Sequence, residues 1–168
     1  MIYDIWNPHL TEAERAEIER MMDALVASEG EPDLLQISGG EPTIHPQILD
    51  IIAAAKRRPI RHVMLNTNGV RIAKDKDFVK ALAELKPGFE VYLQFDSLRP
   101  EVLRRLRGRD LTAIRQRALE SLERHAISTT LVAVVEQGSK IRLGQFGKAI
   151  HREDGTILDN SDTVSGII

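Results

Sequence analysis

Short apolar runs alternate along the chain with segments whose apolar residues recur every three or four positions. Thr11 and Glu14 form the reciprocal capping pattern of a helix start, and Ile18, Met21, Met22, Leu25 and Val26 supply the stripe that follows. Gly30 and Pro32 end that helix. Leu34 to Ile37 reads as a strand. Pro46 suits a first helical position, with Ile48, Ile51, Ile52 and Ala55 facing inward and Pro59 closing the unit. "HVMLN" (62–66) predicts a second strand, and "TNG" (67–69) a turn. Phe78, Leu82 and Leu85 mark a further helix, stopped by "KPG" (86–88), and "VYLQF" (91–95) a third strand. Helical spacing returns over 100–106 and 111–124, the latter with Ile114, Ala118 and Leu122 inward; "TTLVAVV" (129–135) is a fourth strand.

Strands thus recur at intervals of roughly 30 residues with helices between them, the spacing of βα units in a parallel sheet. The fold class predicted is α/β, a partial (βα) barrel of parallel strands with outer helices, truncated at both ends. The nearly continuous apolar runs predict strands covered on both faces. Residues 1–150 read as one incomplete βα domain and 151–168 as an irregular C-terminal tail.

Composition narrows the classes of function. The 168 residues are 42% hydrophobic and 29% charged with a net charge of −2, so the chain reads as globular, with no general attraction to nucleic acid. No apolar run is long enough to span a membrane and the N-terminus lacks a signal-peptide pattern, which makes the cytoplasm the expected location. The chain contains no cysteine, so it builds no disulfide, thiolate nucleophile or cysteine-ligated metal centre.

Chemistry in a parallel α/β sheet collects at the carboxyl ends of the strands. Three such ends are polar here: Ser38, Gly39, Gly40, Glu41 and Pro42; Asn66, Thr67, Asn68 and Gly69; and Gln94, Asp96 and Ser97. Paired glycines let backbone approach a ligand closely or take positive φ, and a carboxylate beside them either receives an ammonium group or orients the bend. Each segment also has a plainer reading, as a tight turn or a cap. "RRLRGRD" (104–110) reads first as solvated helix-end charge, and His45 as a cap or turn residue. The glycine-rich fingerprints of nucleotide folds are absent.

Taken together, "QISGGEPTIHP", "VMLNTNGVRIAKD", "VYLQFDSLRPEVLRRLRGRDL" and "TTLVAVVEQG" resemble the radical S-adenosylmethionine enzyme family over roughly residues 11–145. Within that resemblance the wording is closest to branches acting on lipids or molybdopterin-like precursors. It implies that Gly39, Gly40, Glu41 and Pro42 help hold the methionyl amino group of S-adenosylmethionine, with Asn66, Asn68, Gln94 and Asp96 facing cofactor or substrate. It also implies a [4Fe–4S] cluster, held by a C-x3-C-x2-C motif, at which the cofactor is reductively cleaved to a radical that abstracts a substrate hydrogen.

That motif is missing, and the chain departs from the pattern again beyond about residue 140. No residue is expected to be catalytic or a metal ligand, neither cofactor is expected to be retained by this chain, and the chain is expected to be inactive alone. The leading expectation is therefore a fragment of such an enzyme, acting on a small-molecule substrate when complete. The alternatives are a non-catalytic domain that binds itself or a partner through an exposed sheet edge, and an unrelated α/β enzyme using Glu41 and Asp96 in acid–base work.

Overall fold

The structure is a computed structural model, and it describes residues 11–96 and 99–132. The chain divides into two units, Met1–Ala133 and Val134–Ile168, and every described residue belongs to the first. The expected boundary at 150/151, Ser97 and the end of the fourth apolar run lie outside the described residues.

Helix α1 (Glu12–Glu29) begins with the expected box: the Thr11 side chain accepts from the Glu14 amide while the Glu14 carboxylate takes the Thr11 N–H at 2.8 Å. Gly30 ends it at φ 76°. Of the five residues in its apolar stripe only Met22 is fully buried; Met21 is exposed and the other three are half-buried. The helix is instead fixed to the next one by charge. Arg58 donates to Asp23 at 2.7 Å and to the Glu19 carbonyl at 3.2 Å, and Arg15 meets Asp50 at 3.1 Å.

Strand β1 (Leu34–Ile37) leads into a 3₁₀ turn, Pro42–Ile44, with Pro42 at its start; helix α2 (Ile48–Lys56) follows. The proline that opens a helical turn is thus Pro42, and Pro46 precedes α2. The inward residues of α2 are those expected, with Ala54 added. Strand β2 (His62–Thr67) is followed by two helices where one was expected, α3 (Val70–Lys74) and α4 (Lys76–Ala83). They part at Asp75, whose carboxylate accepts from the Phe78 amide at 2.9 Å and so caps α4. Strand β3 (Phe89–Gln94), helices α5 (Pro100–Arg107) and α6 (Thr112–Arg124), and strand β4 (Ser128–Val132) complete the described unit.

The four strands lie in chain order and every neighbouring pair is parallel, with Leu35 opposite Val63, Leu65 opposite Val91 and Val91 opposite Thr129. The described sheet is open, an arc of βα units and not a closed barrel. Parallel strands in chain order, joined by crossovers of the usual single hand, carry their helices on one face. Burial follows from that: Val63, Leu65, Thr67, Phe89, Val91 and Leu93 are buried, whereas His62, Met64, Asn66, Glu90, Tyr92 and Gln94 are half-buried. The expectation of strands covered on both faces is corrected: among the described residues only one face is covered. The helical side of the core is Ile48 and Ile52 from α2, Phe78 and Leu82 from α4, and Ala118 and Leu122 from α6. Leu34, on the edge strand β1, is 47% exposed.

Asp75 carries a pH prediction. The Phe78 N–H, helped by Arg71, holds its carboxyl below the ordinary 3.8. A carboxyl with a depressed folded pKa contributes stability above the unfolded pKa and loses it as pH falls through the folded one. Asp75→Ala should cost about 1 kcal/mol at neutral pH, the value of an N-cap. The deficit should vanish as pH falls below 3.8, which urea denaturation across the acid range would read out.

Candidate functional site at the strand ends

The loop after β1 is organised by its own carboxylate. Glu41 Oε1 accepts from the Thr43 amide at 3.2 Å, the Thr43 hydroxyl at 2.5 Å and the Thr67 hydroxyl at 2.6 Å. Its Oε2 accepts from the Asn68 amide at 2.6 Å. Glu41 therefore ties the β1 loop to the end of β2. Gly39 is half-buried and Gly40 exposed, while Pro42 and Thr43 are buried. The left-handed glycines among the described residues are Gly30, Gly69, Gly88 and Gly108, so the Gly39–Gly40 pair is not used for positive φ. Outside the sheet ladder, no backbone donor among the described residues reaches the carbonyls of Gly39 or Gly40.

At the second strand end, Gly69 at φ 76° turns the chain into α3, and the Asn68 side chain accepts from the Val70 amide at 2.9 Å. Asn66 points to the uncovered face, where Gln94 donates to it at 3.3 Å. These two predicted residues come together across neighbouring strands. A groove of about 540 Å³ runs between the β1 and β2 loops, with Glu41, Thr43 and Asn68 among its lining residues.

Asp96 belongs to a different arrangement. It sits at φ 58°, and its side chain is 1% exposed. Arg107 grips it bidentately at 2.8 and 3.0 Å, and Arg115, also 1% exposed, lies 3.7 Å away. Arg115 further donates to the Asn68 carbonyl. Burial pushes the Arg115 guanidinium below its ordinary pKa, opposed by the Asp96 charge, while the hydrogen bond to Asp96 raises Arg107. Glu41, Asn68, Arg115, Asp96 and Arg107 thus form one connected network across the three strand ends. Arg107, read from sequence as solvated helix-end charge, is the anchor of α5 to β3. Sequence reasoning also missed Arg115. Its one signal was its place in the stripe Leu111, Arg115, Ala118 and Leu122, which takes the inward face in place of half-buried Ile114.

His45 is buried, and its Nδ1 accepts from the Gln47 amide at 3.1 Å, so it is a turn residue. Among the described residues no group of three or more His, Cys, Asp or Glu side chains is placed to hold a metal ion, and the full sequence has no cysteine. The residues present do not fit a [4Fe–4S] cluster, whose irons need thiolates. No helix among the described residues is long and apolar enough to cross a membrane.

A parallel βα arc with its polar residues at the carboxyl ends of the strands agrees with what known proteins show. The Radical SAM superfamily matches residues 3–138, and the chain belongs to that superfamily. It is 31% identical over 152 residues to the 7,8-dihydro-6-hydroxymethylpterin dimethyltransferase of Methanocaldococcus jannaschii, covering 90% of this chain and 28% of that protein. It is 37% identical over 95 residues to a probable GTP 3',8-cyclase of Thermococcus kodakarensis, covering 56% of this chain and again 28% of the relative. The chain therefore spans little more than a quarter of the curated relatives it matches. Among solved structures, native anSMEcpe with bound AdoMet superposes with a TM-score of 0.55 at 22% identity, over 70% of this chain and 34% of that one. The same protein with AdoMet and a bound peptide gives 0.56. That likeness is one of fold.

Proposed function

We propose that the described unit is the part of a radical S-adenosylmethionine enzyme that presents its strand ends to the methionyl group of the cofactor. In this reading the cluster ligands of the complete enzyme lie outside these 168 residues. The observation that carries it is the state of the β1 loop. Glu41 is occupied by four donors from Thr43, Thr67 and Asn68, which holds the loop while leaving the Gly39 and Gly40 carbonyls open. An ammonium group has only donors and needs such acceptors. Glycine at both positions keeps side chains away from that approach.

When bound, the cofactor supplies a carbon–sulfur bond weakened by its sulfonium charge. The residues of this chain would hold its polar end: Gly39 and Gly40 through their backbone, with Asn66 and Gln94 next along the uncovered face. Glu41 and Pro42 shape the loop, and Asn68 and Asp96 fix the neighbouring strand ends. The names of both curated relatives contain fused nitrogen heterocycles, a pterin and GTP. We take that class as the substrate of the complete enzyme. The chain as given, without cysteine, supports no cluster chemistry by itself.

The test is the intact mass of the native polypeptide, with iron and sulfide measured anaerobically on the same sample. The expected result is a mass above 18.9 kDa with about four irons per chain. A native mass of 18.9 kDa without iron overturns the reading.

A further inference from the structure

The groove between the β1 and β2 loops is unusual in its hydrogen-bond accounting. Its acceptors are occupied: the Glu41 carboxylate holds four donors, the Thr43 carbonyl takes Arg71 Nη1 at 2.7 Å, and the Asn68 side-chain oxygen takes Val70 N–H. Three of its side chains keep open donors. Asn68 Nδ2 and Arg71 Nη2 make no hydrogen bond among the described residues, and the exposed Arg109 makes neither a hydrogen bond nor an ion pair there. Arg71 is also held in place, by Asp75 at 3.2 Å and by the Phe78 ring 4.0 Å beneath it, so its free nitrogen is presented without further ordering. The apolar part of the lining is Ile44, Pro46 and Val70. Ile44 is 63% exposed, the most exposed large apolar side chain among the described residues. Neither glycine of the Gly39–Gly40 pair lines this groove.

Open donors carrying positive charge, filled acceptors and an exposed apolar wall together select a particular chemistry. We propose that the groove binds a small organic molecule bearing an oxyanion, phosphate or carboxylate, on an apolar ring or chain. Arg109 is the primary partner of the oxyanion, Arg71 and Asn68 add donors, and Ile44 packs under the apolar body. Guanidinium suits this task because its fork of donors matches two oxygens at once. The groove shares Glu41 and Asn68 with the strand ends proposed for the methionyl group but not Gly39 or Gly40, and the proposal does not depend on that reading.

The experiment titrates the full chain at low salt with phenyl phosphate, benzoate and inorganic phosphate, following amide chemical shifts. Phenyl phosphate should bind more tightly than inorganic phosphate, with shifts at residues 43–46 and 68–71. Arg109→Ala, at an exposed position outside the core, should weaken phenyl phosphate about tenfold, the loss of one charge-assisted pair. Ile44→Ala should bring its affinity down toward that of inorganic phosphate. Benzoate binding as tightly as phenyl phosphate would identify a carboxylate site, and weaker benzoate a phosphate site; both uphold the proposal. Three results overturn it: equal binding by wild type and Arg109→Ala, no effect of Ile44→Ala, or displacement of phenyl phosphate by S-adenosylhomocysteine.

Discussion

Asp96→Ala should remove about 3 to 5 kcal/mol of folding stability, the cost of stranding one member of a buried charge pair. Arg115 and Asp96 are each 1% exposed in their side chains, so water cannot replace the lost carboxylate. Arg107, with 34% exposure, can turn to solvent; Arg115 cannot. Domains of this size hold only about 5 to 15 kcal/mol in total, so the variant should unfold at much lower urea than wild type. Alanine at φ 58° adds left-handed strain. Asparagine tolerates that backbone and keeps a side-chain oxygen, so Asp96→Asn should lose less. The double variant Asp96→Ala with Arg115→Met should lose less than the two single losses added, because the isolated charge has gone. A loss below about 1 kcal/mol for Asp96→Ala would show that the network does not hold the strand ends together.

Gly69→Ala should be nearly as damaging, for a different reason. The added Cβ would stand 2.6 Å from Leu93 Cδ1 and 3.4 Å from Ala118 Cβ, and the backbone there is at φ 76°. Leu93 is fully buried in β3, so its Cδ1 yields only by pressing on other core side chains. Strain of about 1 to 2 kcal/mol from the left-handed backbone adds to about 1 to 3 from overpacking. The melting temperature should fall by roughly 5 to 15 °C. Gly108 is the internal control: its backbone matches, φ 74° and ψ −1° against φ 76° and ψ 3°, but nothing lies within 4 Å of its Cβ position. Gly108→Ala should therefore show the backbone cost alone. Equal losses at the two positions would mean that contact with Leu93 is not the cause.

How much of this was legible follows from which forces act locally. The four strands were visible because an apolar run bounded by glycine or proline has few other uses, and the chain-order sheet followed from the spacing. The capping box at Thr11 was legible because both of its partners lie within one turn. Arg115 was not, because its partners, Asp96 and the Asn68 carbonyl, come from other strands, and a charged residue within an apolar stripe reads as an exposed one. The break between α3 and α4 was hidden because Asp75 can stand inside a helix or cap one. Gly39, Gly40, Glu41 and Asn68 could be nominated by type and place. What Glu41 ties together could not, because its partners Thr67 and Asn68 come from the next strand end, 26 and 27 residues away.

The order of the strands in the sheet has a consequence for how the protein is made. Among the described residues each strand after β1 pairs with the one just before it, so none of them waits for a distant partner. The β1–α2–β2 unit can close once Thr67 has left the ribosome, and β3 then adds to an edge that already exists. The Glu41 clasp closes at that same point, because its last donor is the Asn68 amide. The Glu41 clasp is thus assembled before α6 arrives with Arg115 to lock the strand ends. Vectorial synthesis and spatial order run in the same direction.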